Sequence, residues 1–292
     1  MRPITNTLII LNIALVFGTS ACGDNDSGEP SKPYFEALPP PVHLSHRGGA
    51  GLYPESTLYA LERALSEWDT DVLEIDLVLS ADGHLMVIHD ESVERTTDGS
   101  GMVGEKTLAE LKALDAAFWF DPDGDESFPL RGEGLTIPTL EEVFTAFPDA
   151  YYNLEIKDAD SEYEEDLHAV VLQFGMREKV CWGSSNDDSA ERLRALDPDI
   201  AIYYPMQAAT CFVLAVNDSN DPMTQCPRHY DALNLPEGGS TAEVIAAAHA
   251  NGIAVYTWTI DDQPRMEALF ALGVDGIITD RPDILRTVID SL

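Results

Sequence analysis

Residues 42–292 predict an α/β fold of the (β/α)₈ barrel type, and three observations carry the prediction. Short apolar runs alternate with helix-period segments along the whole stretch, the pattern of strands joined by crossover helices. Eight such runs can be counted as staves. They occupy about 250 residues, the usual length of a closed eight-stranded parallel barrel. A doubly wound open sheet is the alternative that alternation by itself also permits.

Taken in order, the expected strands are 42–46, 71–76, 151–156, 180–184, 200–204, 232–235, 254–259 and 276–279. Each is rich in aliphatic, β-branched or aromatic residues, as a buried parallel strand requires. Helix-period segments between them fall at 55–67, 140–146, 161–174, 189–195, 242–250 and 264–272. After the second strand the chain carries an extra apolar run, 85–88, separated from it by Asp82-Gly83. That dipeptide signals a two-residue hairpin turn, which would pair Ala81 with His84 and set Asp76 opposite His89. The run is surplus to the eight staves and reads as a hairpin rising from the barrel.

Residues 91–138 break the alternation and read as a small insertion after the second strand and its hairpin. They hold an aromatic cluster, Phe118-Trp119-Phe120, and an acidic loop from Asp121 to Glu126. The alternating Asp121, Asp123 and Asp125 lack the twelve-residue spacing and the closing bidentate Glu of a calcium loop, so they read as a solvated turn.

The ends of the chain and its charge bound the setting. Arg2 precedes an apolar run from Leu8 to Phe17, too short to span a bilayer but suited to a signal-peptide core. Gly18-Thr19-Ser20-Ala21-Cys22 resembles a bacterial lipoprotein signal, so residues 1–21 read as the signal and Cys22 as the lipidated residue. Thr19 stands where that pattern usually has Leu, and plain secretion to the periplasm or medium is the alternative. Residues 22–41, rich in Gly, Asp, Ser and Pro, read as a tether. The protein is therefore expected outside the cytoplasm, its membrane contact made only through the N-terminal anchor. With 52 acidic and 17 basic residues the net charge is −35, which excludes nucleic acid as a partner and repels anionic bilayers. Cys211 and Cys226 flank a polar loop in a compartment that permits disulfides; they read as a bridge, two separate buried thiols being the alternative. No protein partner is inferable.

Barrel chemistry gathers at the C-terminal ends of the strands. Those ends carry His46-Arg47, Glu74 and Asp76, Glu155 and Lys157, Ser184-Ser185, Trp258 and Asp280. Glu74 and Asp76 lie two apart and share a strand face. With Glu155 they make a hard-oxygen set suited to one divalent cation, Ca²⁺ or Mg²⁺. Arg47 and Lys157 beside the same mouth call for an anionic ligand, and carboxylates tolerate a phosphate only across a metal. His46 and His89 add imidazoles able to carry a proton either way near neutral pH. Glu55 reads as structural or as a partner of site residues before it reads as a ligand. Trp258 fits barrel core and substrate platform equally.

These residues fall in blocks. HRGGAGLYPEST, LEIDLVLSADGHLMVIHD, NLEIK, YTWTI and GVDGIITDRPD resemble, in order and over essentially all of 42–288, the signature blocks of glycerophosphodiester phosphodiesterases. The resemblance implies a TIM-type barrel with an inserted small domain. It implies a divalent cation and hydrolysis of a glycerophosphodiester to glycerol 3-phosphate and an alcohol. By block position, His46 and His89 match its acid–base pair, Glu74, Asp76 and Glu155 its metal ligands, Arg47 and Lys157 its phosphate-binding positions, and Trp258 an aromatic near substrate. The sequence departs from the pattern at Ser56, where Asn is usual, and at Asn186, where Phe is usual. Two rival readings stand beside it: a phospholipase D- or sphingomyelinase-like activity on lipids, and a non-catalytic lipoprotein that binds phosphate or calcium. An exterior location and hard-oxygen ligands favour Ca²⁺ over Mg²⁺.

Overall fold

Thr57 begins the first long helix in a way that three other helices share. Its hydroxyl accepts from the Ala60 N–H, and Thr107, Thr139 and Thr241 cap their helices identically, each cap worth about 1 kcal/mol. The computed structural model describes residues 32–157 and 162–292. The signal peptide, Cys22 and most of the expected tether lie outside the described residues.

The helices are α1 (Pro33–Glu36), α2 (Leu58–Trp68), α3 (Leu108–Lys112), α4 (Leu140–Ala146), α5 (Glu164–Gln173) and α6 (Asp187–Leu196). They continue with α7 (Met206–Asn217), α8 (Pro222–Gln225), α9 (Ala242–His249), α10 (Gln263–Leu272) and α11 (Pro282–Ile289). The strands are β1 (Val42–His46), β2 (Val72–Leu79), β3 (Leu85–Val87), β4 (Tyr151–Ile156) and β5 (Val180–Ser184). After them come β6 (Ala201–Ile202), β7 (Ala232–Pro236), β8 (Ala254–Trp258) and β9 (Gly276–Thr279). Among the described residues eight of these run parallel in the order β6-β5-β4-β2-β1-β9-β8-β7. The remaining gap is closed by a parallel bridge between Tyr203 and Ala232, with the Tyr204 N–H donating to the Ala232 carbonyl at 2.8 Å. The barrel is as expected, and its strands are buried on both faces, β2 over seven of its eight residues. Glu55 does not start a helix; it lies in the turn before Thr57, which supplies the cap instead.

β3 pairs antiparallel with β2 outside the ring, but one residue away from the expected register. The pairs are Leu77–Val87, Val78–Met86 and Leu79–Leu85, and the Ile88 N–H donates to the Asp76 carbonyl at 3.1 Å. Ile88, not His89, therefore opposes Asp76. The cause is a three-residue loop. Gly83 sits at φ 82° and the Ser80 N–H bonds the His84 carbonyl, the turn-plus-bulge geometry that competes with a two-residue turn. His89 is left just beyond the paired strand.

The insertion builds a small core of its own. Val93, Val103, Leu111, Ala116 and Ile137 pack on Val78, Met86 and Ile88 of the hairpin. Arg131 stacks its guanidinium 4.1 Å from the Phe118 ring centre and 3.7 Å from that of Phe128. The acidic loop closes on itself, Asp121 accepting from the N–H groups of Asp125 and Glu126.

The stretch expected as tether is folded in its last part. α1 and the turn after it bury Tyr34 and Leu38 against Val42, Val72, Ala201 and Ala232, residues that open their strands. These apolar side chains are too few and too irregularly spaced to show a period, yet they cover the N-terminal end of the barrel. α7, α8 and α11 are likewise additions to the expected helices. Cys211 of α7 is bridged to Cys226 just after α8, with the Cα atoms 5.9 Å apart, and Cys181 is buried in the core.

Candidate active site

The C-terminal ends of β1, β2 and β4 deliver most of the expected residues to one mouth. Glu74 and Asp76, on one face of β2, are 5% and 0% exposed. In β4, Glu155 is in register with Asp76. Ligand oxygens of the three carboxylates lie within 4.8 Å of one another. Burial and the neighbouring Asp76 push the Glu74 carboxyl up to about 8, the cost of holding like charges together out of water. Asp76 takes no hydrogen bond on either oxygen. Its charge is faced by Arg47 Nε at 3.3 Å and Lys157 Nζ at 3.0 Å, and Lys157 also reaches Glu155 at 2.9 Å. Burial lowers the affinity of Lys157 for its proton, but Asp76 and Glu155 outweigh it and hold the ammonium charged. Three carboxylates against two cations, with buried oxygens still lacking donors, are a donor set that fits a hard divalent cation.

Each imidazole is held from behind. His46 Nδ1 lies 2.6 Å from Asp280 Oδ1, at the end of β9, while Nε2 looks into the mouth 3.9 Å from Glu74. Burial would lower the His46 pKa; Glu74 and Asp280 more than offset it, and the imidazole holds its proton more tightly than usual. His89 Nδ1 lies 2.6 Å from Asp90 Oδ1. Asp90 accepts from Arg95 Nε at 2.5 Å, Arg95 grips both oxygens of Glu55 at 2.6 and 2.8 Å, and Glu55 accepts from Arg47 at 3.1 Å. Glu55 thus joins the two basic residues on either side, consistent with a partner of the site rather than a ligand. Burial acts to raise its pKa, and the two arginines overcome that and keep it below the ordinary range. Arg95 was not expected: it sits in the aperiodic insertion, and its only sequence signal is a cation shortly after His89-Asp90.

The other expected residues divide. Trp258 stands at the rim, 45% exposed, its indole N–H donating to the Asn234 carbonyl at 3.2 Å; it is not barrel core. Asn186 caps α6 by accepting from the Asp188 N–H, which explains a polar residue there. Ser56 adopts φ 59°, a left-handed position where Asn is the commoner choice.

The mouth opens into a cavity of about 660 Å³. Its lining includes the polar residues His46, Arg47, Glu74, His89, Glu155 and Lys157 and the apolar residues Met206, Val213, Leu214, Leu235 and Trp258.

Oxyanion-binding cations, hard-oxygen donors and two braced imidazoles at the C-terminal mouth of a parallel barrel define a hydrolase of phosphoric diesters. The chain belongs to the glycerophosphoryl diester phosphodiesterase family, whose model matches residues 46–284. Glycerophosphodiester phosphodiesterase of Caldanaerobacter subterraneus is 34% identical over 251 residues, covering 84% of this chain and 96% of its own. The Bacillus subtilis enzyme of the same name is 30% identical, covering 84% and 85%. Among solved structures, a glycerophosphodiester phosphodiesterase from Agrobacterium tumefaciens superposes with TM-score 0.70 at 26% identity, covering 85% of this chain and 99% of its own. An Oleispira antarctica phosphodiesterase, solved with the product sn-glycerol-3-phosphate, superposes with TM-score 0.67 at 27% identity, covering 86% and 97%.

Proposed function

We propose that the protein hydrolyses glycerophosphodiesters to glycerol 3-phosphate and an alcohol with one divalent cation held by Glu74, Asp76 and Glu155. The observation that carries this reading is the approach of these three carboxylates to within 4.8 Å of one another in a cavity also lined by two imidazoles, each with Nδ1 on a carboxylate. The glycerol 3-phosphate bound to the Oleispira relative supports the product. When bound, the cation supplies Lewis-acid polarisation of the phosphodiester. Arg47 and Lys157 take up the charge that gathers on the phosphoryl oxygens. Asp280 and Asp90 fix the tautomers of His46 and His89, so that each presents Nε2. One imidazole removes the proton of the attacking oxygen, either a water or a glycerol hydroxyl whose cyclic phosphate water then opens, and the other protonates the departing alcohol. Held this way, two proton carriers weigh against a purely binding role. Ca²⁺ is favoured over Mg²⁺ for a protein secreted, or anchored through Cys22, outside the cytoplasm.

The test is an assay of the full chain on glycerophosphocholine with coupled detection of glycerol 3-phosphate. Activity should disappear with chelator and return with Ca²⁺ or Mg²⁺. His46→Ala and His89→Ala should each lower kcat at least ~10²-fold. Full activity in both variants would remove the proton-transfer roles, and activity indifferent to chelator would remove the cation.

A further inference from the structure

One arginine of the insertion completes a chain of charges that runs from a carboxylate of the cation site to an imidazole. Asp76 faces Arg47 Nε at 3.3 Å, Arg47 bonds Glu55 at 3.1 Å, and Arg95 takes both Glu55 oxygens at 2.6 and 2.8 Å. The same guanidinium turns Nε to Asp90 Oδ2 at 2.5 Å, and Asp90 Oδ1 meets His89 Nδ1 at 2.6 Å. Three stretches far apart in sequence join at Arg95: the loop after β1, the end of the hairpin and the insertion. An exposed ion pair by itself ordinarily contributes little, and the Arg95 side chain is 46% exposed. Three features set this one apart. Glu55 is only 14% exposed, so its charge is costly to leave without partners. The fork of Arg95 makes three directed bonds to two carboxylates, a geometry that lysine cannot reproduce. The backbone beneath it is also fixed, for Val93 and Thr97 are buried and Thr97 donates to the Val93 carbonyl through both its N–H and its hydroxyl. Asp90 is the looser partner, 30% exposed and next to His89 in the chain. Burial acts to raise its pKa, and Arg95 and His89 overcome that and keep it below the ordinary range.

Resting on the phosphodiesterase reading, we propose that Arg95 is a positioning residue for the reaction. It holds Asp90 behind His89, with Glu55 as the fixed post against which it is braced. Asp90 in turn keeps the ring proton on Nδ1 and leaves Nε2 for proton transfer, since the partner of one ring nitrogen sets the state of the other. The two imidazoles then depend on different parts of the fold. His46 is oriented by the barrel itself, through Asp280 at the end of β9. His89 is oriented by the insertion, through a side chain that touches neither substrate nor cation.

The test uses the full chain with cation on glycerophosphocholine, and nitrogen NMR of the imidazoles beside the kinetics. Arg95→Ala should lower kcat at least about tenfold, short of the ~10²-fold expected for His89→Ala. KM should stay within about twofold, because Arg47 keeps its own bond to Glu55 and the lost contact matters in the transition state. Added to His89→Ala, the same substitution should lower kcat less than about twofold, since residues acting as a unit are not additive. The neutral His89 ring should carry its proton on Nδ1 in the wild type and lose that preference in Arg95→Ala, while His46 keeps its own. Arg95→Lys retains the charge without the fork and should move kcat and tautomer in the same directions; it replaces the alanine variant if that one fails to fold. Arg63→Ala, which cuts the ion pair with Glu67 inside α2, should leave kcat unchanged. Full kcat in a folded Arg95 variant, losses that multiply with His89→Ala, or an unmoved His89 tautomer would each overturn the positioning role and spare the phosphodiesterase. A wild type inert on glycerophosphocholine with Ca²⁺ and with Mg²⁺ removes the phosphodiesterase reading and this role with it.

Discussion

Both histidines hand Nδ1 to a carboxylate, yet the two carboxylates come from very different distances along the chain. Asp90 adjoins His89, whereas Asp280 lies 234 residues from His46. Strand-end logic brought His46, His89, Glu74, Asp76 and Glu155 into view because their positions follow from a period of two. Asp280 was visible as a strand-end residue, but its pairing with His46 depends on β9 lying next to β1, which spacing alone does not encode. Asp280→Asn should keep the shape and lose the charge. Because Asp280 and Glu74 raise the His46 pKa against burial, the His46 limb of the kcat/KM profile should move to lower pH. The fall in kcat should be about tenfold, smaller than for His46→Ala; an unmoved limb would rule out a charge role for Asp280. Glu74 sets a second pH dependence. Its carboxyl, pushed up to about 8, carries a proton at neutral pH that a cation must displace. Cation affinity should therefore increase about tenfold per pH unit from pH 6 up to about 8 and then level off. Calorimetry across that window checks it, and a constant affinity would take Glu74 out of the ligand set.

At the scale of elements, the hairpin and α7 show where sequence reasoning ends. The pattern of β2 and β3 is compatible with either loop, since Asp82-Gly83 serves a two-residue turn and a three-residue turn with a left-handed glycine alike. Only the ladder decides, and it chose the second. Gly83→Ala is the direct probe: nothing lies within 4 Å of the added Cβ, so the cost is purely conformational, about 1 kcal/mol at φ 82°. Urea unfolding should report that loss with activity on glycerophosphocholine retained; no loss would contradict the left-handed turn. α7 escaped notice for another reason. It has no side-chain cap at Pro205, and apolar residues on two faces blur the 3.6-residue period that reveals a one-faced helix.

For the whole molecule, the alternation of strands and helices was enough to give the barrel, because a parallel stave must be followed by a crossover. The N-terminal cover was not legible: Tyr34 and Leu38 stand among prolines and polar residues, and their burial depends on a surface assembled from seven distant strands. Tyr34, 1% exposed, stacks edge-on against Phe35 and Tyr151 at 5.1 and 6.0 Å. Tyr34→Ala should lower unfolding free energy by about 3 kcal/mol or more, the scale of a lost buried aromatic. The chelator-sensitive activity at the far end should persist in the folded fraction. A loss under ~1 kcal/mol would mean that α1 is not part of the cooperative fold.

That cover also gives the molecule a polarity. The chain reaches the barrel at Pro33, on the end away from Trp258 and the histidines, so whatever precedes it is attached at the closed end. A lipid on Cys22, as proposed, would hold the closed end toward the bilayer and turn the mouth to the surrounding medium. The protein would then draw its substrates from solution rather than from the sheet of lipid beneath it.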